Sequence, residues 1–137
     1  YNIDKVQDML SDSNVVLDRY IDSNLAHQGA KKNTPEEREE VFKFFETLEY
    51  DLLGLPKPDI RILLYMPSEY ARELKAHRAE TPDQHESDEN YLKRSEQCYL
   101  ELAKRNNFVI INCVQDGVVR SIDDIQQELI SVVLARL

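Results

Sequence analysis

No run of the sequence approaches the roughly 18 consecutive apolar residues of a membrane-spanning helix, so the chain is not expected to cross a bilayer. Basic residues are also scarce. Seventeen Lys and Arg stand against 26 Asp and Glu, a formal charge of −9. A protein that follows a nucleic-acid backbone needs a basic face, so a nucleic-acid polymer is not expected as a partner. A single mononucleotide needs only a few well-placed cations, and the charge balance leaves that open. There are two cysteines, Cys98 and Cys113, too far apart for a CxxC pair and without a zinc spacing. Two unpaired thiols and no signal peptide lead us to expect a reducing, cytoplasmic setting. Internal repeats and low-complexity tracts are missing too. What remains is 137 residues, 42% of them apolar, a length and composition that suit one domain with a real core.

Ile3, Val6 and Leu10 recur at helical spacing, and Ser11-Asp12-Ser13 then ends the pattern. A chain that opens inside a helix, with no start methionine, reads as the later part of a longer one. The β-branched run from Asn14 to Leu17 predicts a strand buried on both faces. It ends in Asp18-Arg19 and a dense polar set: Ser23, Asn24, His27 and Gln28. In an open α/β sheet, ligands bind beyond the carboxyl ends of strands, which is where these residues stand. Arg19 offers a fork of donors suited to phosphate, and amides such as Asn24 and Gln28 match the donor–acceptor edge of a base. The plainer alternative is that Asp18 and Arg19 pair with each other and the rest cap a helix.

After Gly29 and the Lys31-Lys32 pair, Thr34, Pro35 and Glu37 form a helix start with a capping box. Val41, Phe44, Phe45 and Leu48 then make an apolar stripe about 100° wide, expected to face the core or, failing that, a second copy. Gly54-Leu55-Pro56-Lys57-Pro58 stops the helix. Ile60 to Met66 predicts the second strand, and Ser68 a cap for a helix carrying Tyr70, Ala71 and Leu74 inward. Lys75 to Pro82 is polar, and a solvated loop is its simplest reading. Asp83-Gln84-His85-Glu86 and Ser87 precede a helix whose inner face holds Tyr91, Ser95, Cys98, Tyr99 and Leu102. Phe108 to Asn112 predicts the third strand. Ser121 with Asp124 resembles a further capping box, before a helix on Ile122, Ile125, Leu129, Val132 and Val133. Strands alternating with helices predict an α/β fold with a parallel sheet.

The block Asp18-Arg19-Tyr20, Ser23, Ala26-His27-Gln28-Gly29 resembles the signature of the thymidylate kinase family. There, Asp-Arg and an aromatic are followed at the same spacing by Ser, Ala, an aromatic and Gln-Gly. A second stretch, Asp83 to Glu86 running into Tyr99-Leu100-Glu101-Leu102-Ala103, is similar to the family's lid-to-helix segment. The resemblance covers essentially the whole chain but matches only the later part of the family's sequence. The glycine-rich GxxxxGK(S/T) phosphate loop is absent from these residues. The fold so implied is that of P-loop NTPases of the nucleoside monophosphate kinase type, a parallel sheet flanked by helices. Residues 1–137 would be the C-terminal part of one kinase domain, with residues 75–86 as its lid. The family's strand order is 2-3-1-4-5, and the three predicted strands match 3, 4 and 5. Without strand 1 between them, two edges would lie unpaired in the core, so residues 1–137 are not expected to fold stably or be active alone.

The activity implied by resemblance is ATP-dependent phosphorylation of dTMP to dTDP, with Mg²⁺. Arg19 would grip the acceptor phosphate, and Asp18 would meet the metal through water. Asn24, with Ser23 and Gln28, would read thymine, and His27 would lie against the sugar where the family often has Tyr. Asp83, His85 and Glu86 would lie near sugar and metal, although two acids at a helix start are also explained by the helix dipole. Arg72, Lys75 and Arg78 would clamp the ATP phosphates from the lid. Cys113, Val114 and Gln115, with Arg120 nearby, would hold adenine, largely through backbone groups. Homodimers are implied as well. A deoxynucleoside kinase would instead carry Glu-Arg-Ser at 18–20, and a noncatalytic interaction module is the remaining alternative.

Overall fold

The computed structural model describes residues 3–76 and 89–137, and the chain divides into two compact units, Tyr1–Pro58 and Asp59–Leu137. The first unit runs α1 (Ile3–Asp12), α2 (Ile21–Gly29), α3 (Pro35–Glu46) and a π-helical turn over Thr47–Leu52. The second runs β1 (Ile62–Tyr65), α4 (Ser68–Ala76), α5 (Glu89–Arg105), β2 (Val109–Asn112), β3 (Val114–Gln115), β4 (Val118–Val119) and α6 (Ile122–Leu134).

In the first unit α2 packs on α3. The spacing of Ile21, Leu25, Ala26 and Gly29 puts all four on one buried side of α2. Full burial of Leu25 alone stabilises the unit by about 1.5–3 kcal/mol. From α3, Arg38 and Phe42 turn inward. The stripe expected to be core, Val41, Phe44, Phe45 and Leu48, is only half covered, and Phe44 is 63% exposed. The buried side is centred on Phe42, one position along from Val41, because α2 covers α3 from that direction.

The strand predicted at Val15–Leu17 does not form. Those residues are irregular, and Val16 is 87% exposed. A strand exists only where another backbone runs alongside, and none among the described residues pairs here. The second and third predicted strands do form and pair in parallel, Ile62 with Val109 through Tyr65 with Asn112. This is a mixed α/β arrangement with a small parallel sheet. Ile111 is its fully buried centre, and α6 packs on the same strand. On α5, Ser95, Cys98 and Leu102 are buried as expected. On α6 the expected apolar face is only half-buried at Ile125, Leu129, Val132 and Val133, and Ile122 is 81% exposed in the first turn. The β3–β4 hairpin was not expected. Asp116 (φ 52°) and Gly117 (φ 75°) both take the left-handed conformation of a tight two-residue hairpin turn.

The capping box at α3 forms as predicted. Thr34 Oγ1 accepts from Glu37 N at 3.2 Å, and Glu37 Oε2 accepts from Asn33 N at 3.0 Å and Thr34 N at 3.2 Å. Those two backbone donors, Asn33 first, hold the Glu37 carboxyl below its ordinary value. A depressed carboxyl stabilises the fold at pH values above its unfolded pKa and loses that contribution as the pH falls through its folded one. Thr34→Ala should cost about 1 kcal/mol. Glu37→Gln should lower the melting temperature at pH 7, and the difference from wild type should narrow as the pH falls below the ordinary carboxylate range. A pH-independent difference would mean that the carboxylate charge plays no part.

Candidate functional site

The turn entering α2 carries the polar set. Arg19 sits at φ 66°, left-handed for a bulky residue, and the chain turns sharply there into the helix. Its Nε donates to Ser23 Oγ at 2.9 Å, and its Nη2 lies 3.0 Å from His27 Nε2. Ser23 and His27 are four residues apart, one above the other on α2. Arg19 is thus laid along the helix, and its hydrogen bonds go to these two residues rather than to the exposed Asp18 beside it. Tyr20 donates its hydroxyl to the Pro56 carbonyl at 3.1 Å, tying the turn to the segment after the π turn.

A second row runs beside the first. Asn24 Nδ2 donates to Glu49 Oε1 at 3.2 Å, Gln28 Nε2 to Asn24 Oδ1 at 3.5 Å, and Lys31 Nζ to Gln28 Oε1 at 3.1 Å. Helical spacing brings Asn24, Gln28 and Lys31 together, and the π turn brings in Glu49. The Asn24 amide is therefore oriented, and each of its ends keeps further hydrogen-bonding capacity. Glu49 and Lys31 were not among the candidates. Glu49 is remote in sequence and carried no local sign of its role.

In the second unit, Arg72 pairs with Glu89, both mostly exposed, and Lys75 is exposed near the end of α4. Arg78, Asp83, His85, Glu86, the Ser87 cap and nearly all of the lid segment 75–86 lie outside the described residues. Cys113 is a buried free thiol whose pKa burial pushes up. Its N–H donates to the Tyr65 carbonyl at 2.9 Å, and its carbonyl accepts from Arg120 N at 2.8 Å. Val114 and Gln115 form β3. The Arg120 side chain, 13% exposed, gives Nε to Asp124 at 2.7 Å and Nη1 to both the Asn112 carbonyl (2.7 Å) and Glu128 (2.6 Å). These partners keep Arg120 firmly charged and hold the Asp124 carboxyl low. Ser121 accepts from Asp124 N at 3.2 Å, but the Asp124 carboxylate goes to Arg120.

One further connection was unforeseen. Glu96 on α5 accepts from the Tyr65 hydroxyl at 2.7 Å and from Ser68 N at 3.3 Å, joining the end of β1 to the start of α4. The bond to Glu96, and then burial, push the Tyr65 hydroxyl up to about 12, so it stays a donor at neutral pH.

The family model described as Thymidylate kinase matches residues 3–127. The chain belongs to the thymidylate kinase family. It is 34% identical to the thymidylate kinase of Mycobacterium tuberculosis over 94 residues, 65% of this chain and 44% of the relative. It is 33% identical to the probable thymidylate kinase of Sulfolobus acidocaldarius over 126 residues, 90% and 56% of the two chains. It is 30% identical to the probable thymidylate kinase of Methanocaldococcus jannaschii over 128 residues, 91% and 56%. The chain spans about half the length of the curated relatives it matches. Among the described residues of this family member, no helix is long and apolar enough to cross a membrane.

Magnesium is the metal the family implies. No group of three or more His, Cys, Asp or Glu that could hold a metal occurs among the described residues. Mg²⁺ does not require such a group, because it is commonly held by one or two carboxylates together with phosphates and water. The exposed Asp18 beside Arg19 fits a contact of that kind.

Proposed function

We propose that this chain supplies the acceptor side of a thymidylate kinase, which transfers the γ-phosphoryl group of ATP to dTMP and forms dTDP and ADP. The observation that carries this reading is the Arg19 guanidinium, fixed by Ser23 and His27 beside the oriented Asn24–Gln28 pair. A phosphate oxygen of dTMP attacks the γ-phosphorus as the bond to ADP breaks, and the two phosphate groups repel as they approach. Positioning and positive charge therefore do most of the work. Arg19 takes the acceptor phosphate, while Asn24 and Gln28 meet thymine through the capacity that their mutual bond leaves open. When bound, Mg²⁺ supplies further charge neutralisation, with Asp18 holding its water shell.

Arg72, Lys75 and Arg78 are assigned to the ATP phosphates, and Asp83, His85 and Glu86 to the region of the sugar. Cys113, Val114 and Gln115 are assigned to adenine, with Arg120 as the post that braces their loop. A P-loop kinase fold, a cytoplasmic setting and a homodimer belong to the same proposal. The half-exposed Phe44–Phe45 face of α3, with its edge-to-face rings 5.2 Å apart, supports the dimer.

The test is an ATP-dependent assay of the full-length chain with dTMP or thymidine as acceptor. Formation of dTDP from dTMP, with no product from thymidine, is expected. Phosphorylation of thymidine alone would make the protein a nucleoside kinase, and no turnover of either would overturn the reading.

A further inference from the structure

Arg19 is held in an unfavourable backbone conformation by two side chains that carry no charge. At φ 66° a bulky residue needs compensating contacts, and the bonds to Ser23 Oγ (2.9 Å) and His27 Nε2 (3.0 Å) supply them. Arginine has only donors and does not deprotonate in proteins. The nitrogen facing it must therefore be the acceptor, so the His27 ring is neutral with its proton on Nδ1.

The choice of partner matters for an anion site. A carboxylate here would orient the guanidinium but cancel its charge. A neutral imidazole and a hydroxyl orient it and leave the full positive charge for a ligand. Because Nε and Nη2 are engaged along α2, the guanidinium cannot swing freely, and its Nη1 group, bonded to nothing among the described residues, is left to meet an oxyanion. We infer that His27, together with Ser23, is a positioning residue that aims Arg19 at the acceptor phosphate without weakening it. The inference rests on the proposed dTMP site and gives His27 and Ser23 work directed at the phosphate.

The test uses the full-length chain and the variants His27→Leu and His27→Gln. Gln keeps an acceptor in reach, and Leu does not. His27→Leu should raise the KM for dTMP about tenfold, the scale of one charge-assisted hydrogen bond, and leave the KM for ATP unchanged. His27→Gln should stay within about threefold of wild type. Thymidine, which lacks the phosphate, should bind wild type and both variants equally in calorimetry. Equal losses for thymidine and dTMP would place His27 at the sugar or base and overturn the inference while leaving the kinase reading intact. So would a Gln variant as impaired as the Leu variant. If wild type turns over no dTMP, the kinase reading fails and the phosphate assignment falls with it. ¹⁵N NMR of the wild type gives a result independent of turnover and of how the variants fold. At pH 8, His27 Nε2 should show the shift of an unprotonated nitrogen, and a protonated Nε2 would overturn the inference.

Discussion

Arg19→Ala in the full-length chain should lower kcat/KM for dTMP by about 10²-fold or more, equivalent to about 2.7 kcal/mol of transition-state stabilisation. The size of the effect follows from the geometry. The guanidinium is fixed before substrate arrives, so little reorganisation offsets its attraction to phosphate. Most of the loss should fall on dTMP rather than ATP. Arg19→Lys should restore only part of the rate, because an ammonium keeps the charge but not the fork that engages Ser23 and His27 together. A loss below about threefold for Arg19→Ala, with the fold intact by circular dichroism, would show that the cluster serves structure alone.

Asn24→Ala should weaken dTMP about 30-fold and change ATP by less than about twofold, since a site built to hydrogen-bond an edge is left with unpaired groups when one side is removed. Glu49 takes one amide proton of Asn24, and Gln28 donates to its oxygen, so the amide is held in one orientation. That arrangement favours a base presenting a donor next to an acceptor. Calorimetric titration with each nucleotide separates the outcomes. Equal weakening of dTMP and ATP would mean that Asn24 supports the fold instead of reading a base.

What could be read from the sequence was mainly what is local. Thr34, Pro35 and Glu37 lie within one helical turn, and their capping box forms as expected. The runs at 60–66 and 108–112 become paired parallel strands. The equally β-branched run at 14–17 does not, because strand formation depends on a neighbour that composition cannot reveal. Asp116-Gly117 is a strong hairpin signal, but the strands it joins are two residues each, too short to show alternation. The polar residues of the α2 turn were all visible as candidates. Their pairing was not, because it depends on the left-handed turn at Arg19 and on Glu49 approaching from a distant segment. Phe44 likewise followed the helical period, but which helix face is covered depends on where α2 lies.

The π turn over Thr47–Leu52 imposes a constraint on chain length. Its wider winding has Leu53 N reaching back to the Leu48 carbonyl at 2.9 Å, one residue farther than an α-helix would. Losing a single residue from this stretch would let it tighten into ordinary α-helix, and because the narrower winding turns farther per residue, Leu55 and Pro56 would keep nearly the same phase. The buried Leu55 and the Pro56 carbonyl that receives the Tyr20 hydroxyl would then stay in place. Gaining a residue with the winding unchanged has the opposite effect, and would turn both by roughly a quarter turn. An insertion here would be felt at the entrance to α2, where Arg19 stands.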